Sequence, residues 1–147
     1  EPDAKYPGLS PRELTNGLQG SVIFNSGRWV GYVGKDLDLT VDLGEVKPIR
    51  LISVRTLISS AQWIMPHRGL YVWVSTDGKN FEDIYDLPAD PMPANKPDYI
   101  DTENVLLPMP KEARYVRIKM LSEKSMPAWH PHTGKPGWLF VDEVTIE

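Results

Sequence analysis

The strongest constraint on the fold is a strict alternation of apolar and polar residues through LDLTVDL, residues 37–43. Successive side chains of a β-strand point to opposite faces of the sheet, so this pattern predicts a strand with one buried and one hydrated face. Gly44 is expected to end it. A strand of this kind is stable only when it pairs with others. The rest of the chain must therefore supply its partners.

Strand patterns recur along the chain. They cover residues 49–58, 70–75, 81–87, 113–121 and a closing segment from Trp138. The Asp77-Gly78 pair predicts a hairpin between 70–75 and 81–87, and the four prolines of residues 88–97 predict a surface connection. SPRE at residues 10–13 predicts one short helical turn. Without a long amphipathic helix, the pattern favours an all-β sandwich or jelly roll.

Composition limits the classes of partner. The length of 147 residues predicts a single domain over 1–147. A net charge of −4 argues against nucleic acid and anionic membranes as partners, and no apolar run reaches the ~20 residues needed for membrane insertion. The chain has no cysteine, which excludes disulfides and thiolate chemistry. It starts at Glu1 without a signal peptide, as expected of a mature fragment or an excised domain.

Catalytic motifs are not found in the sequence. It contains no Gly-x-Ser-x-Gly, no His-Glu-x-x-His and no phosphate-binding Gly-x-x-x-x-Gly-Lys. Asp142 and Glu143 are adjacent on one predicted strand, whereas glycoside hydrolysis needs two carboxyl groups across a cleft. We therefore expect a non-catalytic domain.

Two tryptophans in predicted loops indicate a carbohydrate site. A sugar presents a face of C–H groups and a rim of hydroxyls, so it needs a flat aromatic surface and a few polar groups. Trp63 and Trp129 meet the first need, and His130 could contact a hydroxyl. Further donors close in sequence are Gln62, His67, Arg68 and His132.

The alternative for each ring is packing within its own loop or the core. Trp73 and Trp138 lie in predicted strands and are expected in the core. His130-Pro131-His132 could be a transition-metal pair, but the third ligand would have to be His67, and turn geometry explains the spacing.

A second candidate site is a calcium site between the first loop and the last strand. Calcium prefers carbonyl and carboxylate oxygens. Residues 16–21 offer backbone carbonyls and the side chains of Asn16 and Ser21, and Glu143 offers a carboxylate. Strand alternation turns Asp142 inward and Glu143 outward unless a bulge intervenes, so Asp142 is a rival ligand. The alternative is a simple turn at Asn16 and a hydrated acid.

Several short motifs occur along the chain: LTNG at 14–17, GRW at 27–29, VDLG at 41–44, VSTDGKNF at 74–81, ARYVR at 113–117 and DEV at 142–144. Their order resembles that in discoidin, or coagulation-factor type C, domains. The resemblance implies the galactose-binding-like β-sandwich jelly roll that these domains share with family 32 carbohydrate-binding modules. It also implies that Trp29 packs beneath the first loop and that calcium links this loop to Glu143. The family commonly has aspartate where this chain has Asn16.

The spellings Trp129-His130 and WLFVDE at 138–143 most resemble modules appended to bacterial family 20 β-hexosaminidases. This resemblance implies an exported protein with a linked catalytic domain. The function expected is a non-catalytic module that tethers a glycoside hydrolase to a glycan of the galactose or N-acetylhexosamine type. Its predicted binding residues are Trp63, Trp129, His130, His67 and Arg68. The alternative is a protein-interaction or packing domain of a larger enzyme, with no sugar site.

Overall fold

A computed structural model describes residues 2–7, 14–17 and 19–147. The helical turn predicted at residues 10–13 lies outside them. The described residues form β1 (Val30–Val33), β2 (Leu37–Ile58), β3 (Gly69–Ser75), β4 (Glu82–Pro88), β5 (Tyr99–Leu121) and β6 (Trp138–Ile146), with a short 3₁₀ turn at Ser60–Gln62. Within these ranges, no helix has the length and apolar character that a membrane span requires.

The strands are antiparallel and run in the order β1-β6-β2-β5-β3-β4. The two central strands, β2 and β5, are 22 and 23 residues long. Their pairing shifts register twice, between Asp42 and Lys47 and between Ile49 and Leu51. Such shifts bend paired strands. Each long strand therefore consists of two halves separated by a bend.

The halves of β2 and β5 belong to different layers of a sandwich. Residues 37–42 of β2 pair with the end of β5, which also pairs with β3. Residues 52–57 of β2 pair with β6, and the start of β5 pairs with the same half. One layer is thus β4-β3-β5-β2, and the other is β1-β6-β2-β5.

The main core lies between these two layers. Val72 and Ile118 come from one layer, Ile52 and Val141 come from the other, and all four belong to one buried cluster. Alternating inward residues from two packed sheets are what a β-sandwich requires. The fold predicted from the sequence, a galactose-binding-like β-sandwich jelly roll, is confirmed.

The bend also determines where the loops lie. Ile58 at the end of β2 pairs with Tyr99 at the start of β5. Gly69 at the start of β3 pairs with both Pro88 and Leu121, the ends of β4 and β5. The loops at 59–68, 89–98 and 122–137 consequently emerge at one end of the sandwich, which we call the loop end. The bends and the β3–β4 hairpin lie at the opposite end.

Three parts of the strand prediction differ from the structure. β5 starts at Tyr99, well before the predicted start at residue 113. Gly44, with φ of 86°, does not end the strand, so predicted strands 37–43 and 49–58 are one element. The sequence predicts no strand before residue 37, but β1 forms there by pairing with β6. Gly31 lets the two strands approach closely, since an added Cβ would lie 2.8 Å from the Phe140 ring. The hairpin at Asp77-Gly78 is as predicted, with Gly78 at φ of 75°.

Candidate functional site

A cavity of about 400 Å³ opens at the loop end of the sandwich. It is lined by Ser60, Ala61, Asn95, Trp129, His130, Pro131 and His132, and we call it the loop pocket. All three loops contribute to it. Its volume lies within the range of about 300–1,000 Å³ that is usual for small-molecule sites.

Trp129 provides the large aromatic surface of the loop pocket. Its side chain is half-buried, and its indole Nε1 donates a hydrogen bond of 2.7 Å to the carbonyl oxygen of Met92. This bond satisfies the polar atom of the indole and fixes the ring between two loops. Trp129 therefore lies where the sequence predicts it, with its ring held in place.

His130 is a positioning residue of the loop pocket. It is 4% exposed, and its Nδ1 accepts a hydrogen bond of 3.0 Å from the His132 backbone N–H. Its Nε2 then carries the proton and donates to the Ser60 carbonyl oxygen at 2.8 Å. Both ring nitrogens are thus used within the protein. His130 fixes Ser60 and His132 and has no ring nitrogen left for the sugar hydroxyl that the sequence analysis assigned to it.

Trp63 does not line the loop pocket but packs against His132, which does. It ends the 3₁₀ turn with φ of 66°, and it is the only non-glycine residue in the described ranges with positive φ. Its ring packs on His132, with centroids 4.3 Å apart and planes tilted by 37°. Positive φ is unfavourable for a bulky residue, so surrounding contacts must hold it. Trp63 reaches the pocket through His132, whose exposed side chain is part of the lining.

His67 and Arg68 are not brought to the loop pocket. His67 is buried, with Nε2 2.9 Å from a Glu103 oxygen and Nδ1 accepting from the Gly69 N–H. Arg68 donates to the Ala89 carbonyl oxygen at 2.9 Å and to both oxygens of Glu123 at 3.1 Å. These bonds join the strand ends to neighbouring loops, which gives both residues a structural role.

Sequence reasoning missed Ser60 and Asn95. The Ser60 hydroxyl donates to the Asn95 carbonyl oxygen, so the two residues join the first and second loops at the pocket. Asn95 lies in the proline-rich segment, which was identified only as a surface connection. Nothing in local sequence indicates the pairing, because the two residues are 35 positions apart.

The burial of the three remaining tryptophans agrees only in part with the prediction. Trp29 is buried beneath the first loop as expected, and its Nε1 donates to the Ser21 carbonyl oxygen at 2.9 Å. Trp73 is half-buried and lies outside the core, whereas the half-buried Trp138 packs against the buried cluster of Trp29, Leu57, Ile64 and Phe140. Trp73 lies on an outer sheet face between Tyr71 and the Arg117 guanidinium, which is 5.2 Å from its ring.

A second constellation joins the last strand to the first loop. Arg55 pairs with Glu143 and Thr56 with Val141, so Asp142 is the extra residue of a β-bulge. The bulge breaks the alternation, and both Asp142 and Glu143 are buried. We call Asp142, Glu143, Arg55 and the loop backbone at Gly17 and Gly20 the clasp.

An ion pair lies at the centre of the clasp. Asp142 Oδ2 accepts hydrogen bonds from the Gly20 N–H at 2.5 Å and from Arg55. Arg55 also donates to the Gly20 carbonyl oxygen at 3.0 Å. Burial raises the pKa of the Asp142 carboxyl, and this effect exceeds the lowering by Gly20 and Arg55. Arg55 thus holds both the carboxylate and the loop.

The predicted calcium ligands are partly brought together. Both Glu143 carboxylate oxygens lie 3.0–3.1 Å from the Gly17 N–H, and Asn16 and Glu143 line the same cavity of about 430 Å³. Ser21 Oγ instead accepts from the Ile23 N–H. Among the described residues, no three His, Asp or Glu side chains converge.

Oxygen atoms suited to calcium are nevertheless present at the clasp. The buried Asp142 Oδ1 has no hydrogen-bond partner. Arg55 already supplies positive charge to this carboxylate. Glu143 and Asn16 line the cavity beside it and offer further oxygen atoms. An ion here would depend on Glu143, Asn16 and loop carbonyls.

The sequence model of the F5/8 type C domain matches residues 4–138, most of the chain. The chain belongs to this family. No curated protein shows a significant match to the sequence of this chain. The discoidin resemblance is confirmed, and F5/8 type C domains are binding modules, so this one is a non-catalytic domain. The link to β-hexosaminidases stays a prediction.

Solved structures with the same fold include family 32 modules. CpGH89CBM32-6, produced by Clostridium perfringens, has a TM-score of 0.57 and 18% identity, over 92% of this chain and 82% of that one. A fucose-binding module of Streptococcus pneumoniae has a TM-score of 0.58 and 16% identity, over 99% and 84%. The family 32 module of C. perfringens NanJ in complex with galactose has a TM-score of 0.52 and 13% identity, over 80% and 74%.

Replacement of Arg55 by methionine tests the clasp. The variant leaves a buried Asp142 carboxylate without its counter-charge, so we expect the free energy of unfolding to fall by about 3–5 kcal/mol. Arg117→Met removes an exposed pair with Asp38 and is expected to cost at most about 1 kcal/mol. Urea denaturation measures both. Equal losses in the two variants would contradict a stabilising role for the clasp.

Proposed function

We propose that this F5/8 type C domain binds a glycan in the loop pocket. The observation that carries the proposal is the convergence of Trp129 with the packed Trp63–His132 pair, from loops far apart in sequence, at one cavity of the loop end. Aromatic rings offer the apolar face that a sugar ring needs. The bent strands fix the ends of all three loops, and the loops in turn hold these rings in place.

Polar groups around the pocket suit the hydroxyl rim of a sugar. Ser60, Asn95 and the exposed His132 line the cavity beside the indole of Trp129. A galactose or N-acetylhexosamine residue is the ligand class that the family resemblance suggests, and the galactose complex of the NanJ module is in keeping with it. A shallow site for one or two sugars favours a dissociation constant of about 0.1–1 mM.

Weak binding of this kind is useful in a linked protein. A module that binds the glycan raises the local concentration of any catalytic domain joined to it. Tethering of a glycoside hydrolase, and export of the protein, are expectations from the family resemblance and stay predictions.

A second candidate function is packing against a neighbouring domain. Three apolar side chains, Val46, Leu106 and Met109, are exposed at the end opposite the loop pocket, Leu106 by 67% and Met109 by 76%. Exposed apolar patches often mark protein contacts. Because this surface and the loop pocket are at opposite ends, the packing function is compatible with glycan binding.

Replacement of Trp129 or His132 by alanine tests the glycan site. After a glycan array selects a sugar, each variant should lower the affinity about fivefold or more in isothermal titration calorimetry, since a ring contact contributes about 1 kcal/mol. Trp73→Ala removes an indole from the outer sheet face and should leave affinity unchanged. His132 is exposed, so its variant should fold normally.

Two results would contradict the glycan proposal. One is the failure of every mono- and disaccharide to bind at concentrations of about ten times the expected dissociation constant. The other is binding that survives both pocket variants but is lost in Trp73→Ala. The first result would make the packing function the better account of the domain, whereas the second would place sugar binding on the outer sheet face.

We also propose that calcium binds at the clasp through Glu143 and Asn16. An ion that binds only the folded state raises stability by mass action, so the melting temperature should be higher in calcium than in chelator. Glu143→Gln should remove this difference. Differential scanning calorimetry measures the melting temperatures. Equal values for ion-free protein and for protein in calcium would exclude the site.

A further inference from the structure

A second cavity is lined by Trp63, whose ring packs on the loop-pocket residue His132. It has a volume of about 370 Å³. We call it the aromatic cup, and it is lined by Lys5, Tyr6, Phe24, Gln62, Trp63, Trp138 and Phe140. Five of these seven side chains are aromatic, a higher share than in the loop pocket. None of them belongs to the lining of the loop pocket.

Backbone pairing holds the N-terminal side of the cup. Gly31 donates from its N–H to the Tyr6 carbonyl oxygen at 2.8 Å, and its own carbonyl oxygen accepts from the Asp3 N–H at 2.8 Å. An added Cβ at Gly31 would lie 2.9 Å from Tyr6 Cβ. The glycine therefore allows the N-terminal segment to lie on β1 and to place Tyr6 against Phe140, with ring centroids 4.8 Å apart.

The rings of the cup meet edge to face. Tyr6 and Trp138 are 5.1 Å apart at 88°, and Tyr6 and Phe24 are 6.3 Å apart at 69°. Tyr6, Phe24 and Trp138 are each half-buried. These three rings therefore keep part of their surface accessible, and all three line the cavity. Accessible aromatic surface suits the C–H side of a sugar ring.

The two cavities are adjacent. Ala61 lines the loop pocket, whereas its neighbours Gln62 and Trp63 line the cup. The Trp63 ring that lines the cup is 4.3 Å from the ring of His132, which lines the loop pocket. The Trp63–His132 pair therefore forms a ridge between the two cavities. A linear ligand that fills one cavity can cross this ridge into the other.

We propose that the aromatic cup is a second sugar subsite, so that the domain recognises an oligosaccharide chain across the Trp63–His132 ridge. This inference rests on the proposed glycan binding in the loop pocket. Lys5 and Gln62 are exposed at the cup and supply donors for hydroxyl groups of the second sugar. The ligand class is a linear glycan with at least one sugar residue in each cavity.

Calorimetric titration with ligands of increasing length tests the second subsite. The probes are galactose and N-acetylglucosamine, each compared with a β-linked di- and trisaccharide that contains it. For the series that binds, the longer ligands should bind about tenfold more tightly than the monosaccharide, because a second ring contact is added.

Variants of the cup separate the two subsites. Phe24→Ala and Gln62→Ala should each lower affinity for the longer ligand about three- to tenfold and leave the monosaccharide affinity unchanged. Gln62 is exposed, so its variant tests the cup even if Phe24→Ala loses stability. Phe81→Ala is the matched control, because Phe81 is 38% exposed and follows the hairpin at the opposite end.

Each outcome of these titrations decides between the proposals. Monosaccharide binding without a gain from chain length, or a gain that survives both cup variants, would overturn the second subsite and leave the loop pocket intact. Failure of all probes to bind would overturn the second subsite together with the proposed function. A gain from length that both cup variants remove would support both.

Discussion

The shared bend of β2 and β5 is the constraint on which the rest of the structure depends. Each long strand passes through both layers of the sandwich, and their paired register shifts make them fold over together. Their four ends consequently lie at one end of the molecule, and the loops that leave them must meet there. The aromatic side chains of these loops converge for this reason, although they are far apart in the sequence.

The clasp stabilises this arrangement from the last strand. A bulge at Asp142 turns two adjacent acids inward, and Arg55 joins one of them to the first loop. Removal of one partner of a buried ion pair is strongly destabilising, because the other charge stays buried without a counter-charge. The loop that packs over Trp29 is thus fixed to the sheet by charge and hydrogen bonding as well as by apolar contact.

Local pattern predicts the parts of this fold that depend on local chemistry. Strand 70–75, the Asp77-Gly78 hairpin and the placement of Trp129 in a loop follow from alternation and turn residues. The continuity of β2 through Gly44 does not, because a glycine that ends a strand and one that bends it look alike in sequence. The burial of Glu143 likewise depends on a bulge that alternation cannot reveal.

The candidate site shows the same division. Trp63, Trp129 and His130 were identified from their loop positions, but hydrogen bonds with Ser60 and His132 occupy both ring nitrogens of His130. His132 takes the exposed position, and Asn95 joins it from a proline-rich loop. Such roles depend on contacts between distant residues, which no spacing rule supplies.

Nitrogen–proton correlation NMR of the tryptophan indoles, recorded while an array-selected glycan is added, tests glycan binding at the loop end most directly. Trp63 and Trp129 each place an indole beside the loop pocket, whereas Trp73 lies on an outer sheet face. We predict saturable shifts of the Trp63 and Trp129 indole signals and an unchanged Trp73 signal. Unchanged signals from both loop tryptophans at saturating glycan would contradict the account.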